Sequence, residues 1–193
     1  MAVVAMFVAG AAIQWLRDGI KIIKDAKKTE VLANSTDNED VYFVPAFVGL
    51  GTPYWDDDAR GAIFGLTRAT TVADLAKATL ESIAFQSKDV MEAMVNASSI
   101  EINEVSVDGG ASANDYLLQF QANLLDRKIT RPVCLETTAL GAAYLAGLAT
   151  GYYKNIKDIR KNHEIDKFFL PTKNLDDRYK KWLKAVEATR MFK

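Results

Sequence analysis

The 193-residue chain carries 49% hydrophobic and 25% charged residues, enough apolar material for one substantial core and little beyond it. Its 24 basic and 25 acidic side chains are mixed along the sequence and leave a formal charge of −1, which argues against a nucleic-acid partner. A single cysteine, Cys134, excludes an intramolecular disulfide framework and suits a reducing, cytoplasmic setting, and with a single histidine, His163, no His/Cys zinc site can be assembled.

The apolar opening lacks the basic n-region of a signal sequence, and Met1 to Met6 reads as the remains of a strand or as an artificial sequence boundary. From Ala9 to Asp25 the residues Ile13, Leu16, Ile20 and Ile23 recur at helical spacing, which predicts an amphipathic helix. Asn34 to Asp40 is a polar loop, and Val41 to Phe47 has the β-branched and aromatic content of a strand that Pro45 restricts to an edge or an end. Gly49 to Arg60 is too rich in Gly, Pro and Asp for a regular element, yet Tyr54 and Trp55 suit packing anchors that fold it back onto the body. The run Asp56-Asp57-Asp58 is expected to be solvated.

After the short apolar segment Gly61 to Leu66, Thr71 with Asp74 three residues on forms an N-cap signature for a long helix. Ala76, Leu80, Ile83, Val90 and Met94 share one face, which places Lys77, Glu81, Lys88 and Glu92 largely outside. A strand from Ile102 to Val107 runs into the turn Asp108-Gly109-Gly110-Ala111 and a helix from about Asn114 to Leu125; Lys128 to Pro132 is a second strand. Thr137 or Thr138 caps a helix, Ala139 to Thr150, whose small residues Gly141, Ala142, Ala146 and Gly147 predict deep burial. The charged remainder is mostly helical, with Trp182, Leu183 and Val186 as its docking face. Alternating strands and helices point to an α/β or α+β layer fold with one sheet covered by helices.

Two glycines between a strand and a helix start let the backbone approach a ligand, so Val105 to Asn114 is the most informative local signal. A plain tight turn has the same spacing. The segment has neither the third glycine of a dinucleotide fingerprint nor the GK[ST] of a P-loop. His163 sits in a polar run and reads as a surface residue.

Several segments, in order, resemble the C-terminal domain of the FGGY carbohydrate kinases: AGAAIQWLRD from Ala9, PAFVGLGTPYWDDDARGAIFGLTR from Pro45, VDGGASAN from Val107 and TALGAAYLAGLATG from Thr138. Gly61 to Glu81 fits the family's second signature from end to end. Gly49 to Trp55 lacks the G-E-R-x-P-x-W of sugar-phosphorylating members and favours glycerol as substrate.

The resemblance implies an α/β, ribonuclease H-like and actin-like ATPase domain lacking its first strands, with residues 1–152 as the nucleotide-side domain and 153–193 as a helical tail packed on it. It also implies a cytoplasmic kinase using ATP/ADP and Mg2+, with Gly10, Gln14, Gly110 and Asn114 contacting nucleotide. In this family the catalytic aspartate, the glycerol site and most of the metal site lie upstream of the matched region, so the chain alone is expected to be inactive, and Asp108 is not the base. Glycerol would be bound by that other half, nucleic acid and membrane are not expected partners, and an uncovered face favours self-association. A ketose or alditol kinase of the same family and a non-catalytic nucleotide-binding module are the alternatives; a structural actin-like subunit has little support.

Overall fold

The computed structural model describes residues 9–98 and 102–192, and the expected strand remnant Met1 to Met6 lies outside the described residues. In chain order the elements are α1 (Ala9–Gln14), which passes directly into a π-helical turn (Trp15–Gly19), α2 (Lys28–Ala33), β1 (Tyr42–Val44), β2 (Ala62–Phe64), α3 (Val72–Ser98), β3 (Glu104–Ser106), a 3-10 turn (Gly110–Ala113), α4 (Asp115–Leu125), β4 (Lys128–Pro132), α5 (Thr137–Ala149), α6 (Ile156–Arg160), β5 (Ile165–Phe169) and α7 (Asp176–Met191). The class is α/β, but the described strands form two small sheets and not one. β1 and β2 pair antiparallel with Phe43 opposite Ile63, while β4 lies between a parallel β3 and an antiparallel β5. β5 was hidden in the charged tail because four of its five residues are exposed and give no apolar alternation.

The first helix stops short of Asp25. Its ring-over-backbone packing explains the stop: the Trp15 indole lies so close to Gly19 that a Cβ there would meet Trp15 Cδ1 at 2.6 Å, and it stacks on Phe43 with centroids 5.3 Å apart. The wider π turn accommodates this, and Lys21, in the left-handed region at φ 57°, ends the helix. Pro45 ends β1 after three residues, as the missing N–H requires.

The long helix α3 organises the core. At its start the Asp74 carboxylate reaches back to accept from both the N–H and the hydroxyl of Thr71, at 2.7 and 3.0 Å, the carboxylate half of a capping box. The Thr36 hydroxyl also donates to Asp74, and Lys77 Nζ donates to the Thr36 carbonyl at 3.0 Å, so the polar loop before β1 is tied to the first turns of α3. Phe85 of α3 stacks on Trp182 of α7, centroids 5.1 Å apart and 10° from parallel, and meets Phe120 of α4 edge-on.

Four expectations are corrected here. Lys77 and Glu81 are buried, not outside, because Thr36 and Arg178 supply partners from other parts of the chain. Leu183 is 41% exposed, leaving Trp182 and Val186 with Tyr179 and Ala185 to dock α7. Asp56 is buried, with its carboxylate accepting from Arg190 Nε at 3.2 Å and from the Ala59 N–H, while Asp57 and Asp58 are exposed. Trp55 is 76% exposed and anchors nothing, whereas Tyr54 packs against the core; Leu50 and Asp56 exchange backbone bonds that close the loop between them.

Burying ions on α3 requires matched partners on α7. Glu81 receives two bonds from Arg178, at 2.9 and 2.6 Å, and a third from the Tyr116 hydroxyl at 2.6 Å. Two turns further along α3, Asp89 accepts from the Tyr179 hydroxyl at 2.7 Å and Trp182 Nε1 at 2.9 Å. Burial pushes the Asp89 carboxyl above the usual carboxylate range despite these donors. Burial also works against the Arg178 charge, but its bonds to Glu81 outweigh that and hold its pKa above the ordinary arginine value.

The expected burial of α5 is the clearest reversal. It has no buried residue among its thirteen, although TTALGAAYLAGLA has no charged side chain. The small residue Gly147 does admit the Tyr153 ring, since a Cβ there would meet Tyr153 Cδ2 at 2.6 Å, but among the described residues no element buries the helix, and β3 pairs only with β4.

Candidate nucleotide site

The fold brings the four predicted site residues to one region. Gly10 and Gln14 occupy α1, and α1 lies against the 3-10 turn that begins at Gly110 and ends beside Asn114. Gly10, Gln14 and Gly110 are exposed, and Asn114 is half-buried. A Cβ added at Gly10 or at Gly110 would meet nothing within 4 Å, so each glycine turns a bare backbone face to open space. Gly109, at φ 78°, makes the turn that lifts the chain out of β3, and its N–H donates to the Leu135 carbonyl at 2.8 Å.

Asn114 has a second task. It is the N-cap of α4, its side-chain oxygen accepting the Leu117 N–H at 2.9 Å. The neighbouring Asp115 N–H is taken by the Glu30 carboxylate of α2 at 3.1 Å. Asp115 itself is gripped by Lys167 at 2.6 Å and Arg131 at 2.7 Å, and the Lys167 contact above all holds its carboxyl below the usual range. The positive end of α4 is thus already matched by two carboxylates of the protein, Glu30 and Asp115. Lys167 and Arg131 compensate Asp115, and Glu30 occupies the first free N–H of the helix.

Asp108 is exposed and accepts a hydrogen bond from the Thr137 hydroxyl at the start of α5, a structural link between β3 and that helix. His163 and Cys134 are both exposed. Among the described residues no group of three or more His, Cys, Asp or Glu side chains is placed to hold a metal ion, and no helix is long and apolar enough to cross a membrane. The contribution of α2 was missed in the sequence. KTEVLA carries too short and too charged a pattern to announce a helix, and only the fold places Thr29 and Glu30 beside the start of α4.

Residues 1–150 match the model of the FGGY family of carbohydrate kinases, C-terminal domain. The chain belongs to this family. Among curated FGGY relatives, the glycerol kinases of Bacillus mycoides (strain KBAB4) and Bacillus cereus (strain ATCC 14579) are each 55% identical to it over 98% of its length. The chain spans 39% of each, so it corresponds to about two fifths of these relatives. Among solved structures, Plasmodium falciparum glycerol kinase with ADP superposes with a TM-score of 0.82 at 34% identity, covering 94% of this chain and 37% of that one. A xylulose kinase from Brucella ovis, at 24% identity and a TM-score of 0.80 over 95% of this chain and 39% of that one, shares the fold alone. The FGGY neighbours are sugar kinases of the actin-like ATPase fold, and the α/β arrangement is that of their C-terminal domain.

Proposed function

We propose that this chain is the C-terminal, ATP-binding domain of a cytoplasmic glycerol kinase that carries out ATP + glycerol → ADP + sn-glycerol 3-phosphate. The observation that carries the reading is the meeting of α1 with the glycine turn, which brings two open glycine faces and two side-chain amides into one region. The 55% identity to glycerol kinases and the likeness to a glycerol kinase with ADP support a nucleotide as its ligand. Gly10 and Gly110 would admit the nucleotide against bare backbone, and Gln14 and Asn114 would offer amides to its adenosine end. Residues 1–152 would form the nucleotide-side domain and 153–193 the tail packed on it.

Phosphoryl transfer requires a base for the polyol hydroxyl and charge compensation at the γ-phosphate. The phosphates would, on this reading, point toward a facing half that would hold glycerol, Mg2+ and the base. By this reading the 193 residues assayed alone bind nucleotide without turnover, and self-association through an uncovered face is expected.

Calorimetric titration with ADP tests it. Gly110 is not in the left-handed region and a Cβ there is unobstructed, so Gly110→Val should leave the melting temperature within about 2 °C. The expected result is weak saturable binding by the wild type that Gly110→Val abolishes. A wild type that shows no saturable heat, or a variant that binds equally, would sink the reading.

A further inference from the structure

The hydrogen bonds around Asn114 decide which of its atoms faces a ligand. Its side-chain oxygen must be the atom that meets the Leu117 N–H, since only an oxygen can accept there. The amide nitrogen therefore points the other way, and one of its two hydrogens goes to the Thr29 hydroxyl at 3.3 Å. Thr29 is completely buried, and its own hydroxyl hydrogen is committed to the Ala26 carbonyl at 2.6 Å. With that hydrogen engaged, Thr29 can present only a lone pair to Asn114. The adjacent Glu30 holds the Asp115 N–H, so α2 fixes both the backbone and the side chain at the start of α4.

We infer that α2 is the orienting element of the nucleotide half-site, with Thr29 a positioning residue that holds the nitrogen end of the Asn114 amide while the Leu117 N–H holds its oxygen. The inference rests on the reading of this region as a nucleotide site. With its oxygen engaged by Leu117 and one N–H by Thr29, the Asn114 amide turns its second N–H to the ligand, and the atom that meets it is an acceptor such as a ring nitrogen or ribose oxygen. Without the Thr29 lone pair the amide is held at its oxygen alone, its nitrogen end is free to swing, and each binding event must order it.

The test uses the 193-residue chain and ADP. Thr29→Val keeps the shape and removes the hydroxyl; it should weaken ADP binding about 5- to 10-fold, and Thr29→Ser, which restores the lone pair, should return affinity to within about 2-fold of wild type. In the wild type, ADP should shift one of the two Asn114 side-chain amide protons in a nitrogen–proton NMR spectrum and leave its Thr29-bonded partner nearly unmoved; Asn114→Asp identifies the pair by deleting it. That spectrum decides the matter even if Thr29→Val does not fold. Loss of ADP binding in Gly110→Val with unchanged affinity in Thr29→Val, or equal movement of both amide protons, overturns the inference alone. Failure of the wild type to bind ADP overturns it together with the reading beneath it.

Discussion

The α3–α7 interface and helix α5 use their sequences in opposite ways. The interface is built on charged and polar residues, Glu81, Asp89, Arg178, Tyr179 and Trp182, yet all five are buried and bonded across two helices. Helix α5 has no charged residue, yet none of its side chains is buried. What a residue does in this molecule is set by what the chain brings to it, and polarity alone is a poor guide to depth. Glu81 is at home in the core because Arg178 and Tyr116 meet it there, while Leu145 stays 69% exposed because nothing among the described residues covers it.

The sharpest way to break this contrast is to strip the interface of its cation. Arg178→Met leaves Glu81 buried and uncompensated, which should cost about 3–5 kcal/mol and lower the melting temperature by roughly 6–20 °C. Adding Glu81→Gln should restore part of the loss, because the charge disappears while Tyr116 keeps an acceptor. A single variant that melts with the wild type would show the pair to be ornamental.

The second carboxylate gives a pH signature. The raised Asp89 pKa means that the folded state holds a proton that the unfolded state has already released. This contribution is fully favourable below the ordinary aspartate value of about 3.9 and is lost as pH rises to the raised folded value. Urea stability measured at steps from pH 4 upward should therefore show this decline in the wild type relative to Asp89→Asn. Equal slopes in the two proteins would contradict the burial argument.

The smallest effect is expected on α5. A Cβ at Gly141 would meet nothing within 4 Å, so Gly141→Ala should simply favour the helix, raising stability by about 0.5–1 kcal/mol. A destabilised Gly141→Ala chain would mean that another segment packs closely on that face in solution, and thermal melts would reveal it.

Features with local causes were legible in the sequence. The Thr71–Asp74 cap, the end of β1 at Pro45 and the rise from β3 through Gly109 into α4 each depend on residues a few positions apart. The four site residues came from family resemblance, and the structure adds that α1 lies against the glycine turn. What stayed hidden has distant causes. Glu81 and Lys77 looked external because Arg178 and Thr36 lie far from them along the chain, and the Trp15–Phe43 stack that accompanies the π turn joins two separate segments. Thr29 gave no sign of importance because its partner, Asn114, is 85 residues away.

The α3–α7 clamp also imposes an order of events. Glu81 meets Arg178 across 97 residues and Asp89 meets Trp182 across 93, so the two carboxylates wait for their partners until α7 is available. Closing such a span costs chain entropy before any contact rewards it, and folds dominated by distant contacts assemble slowly. During synthesis the core around Phe85 must remain open until α7 emerges, and in that interval its apolar surface is exposed to other chains. Docking of α7 is thus the step that closes the core over Phe85.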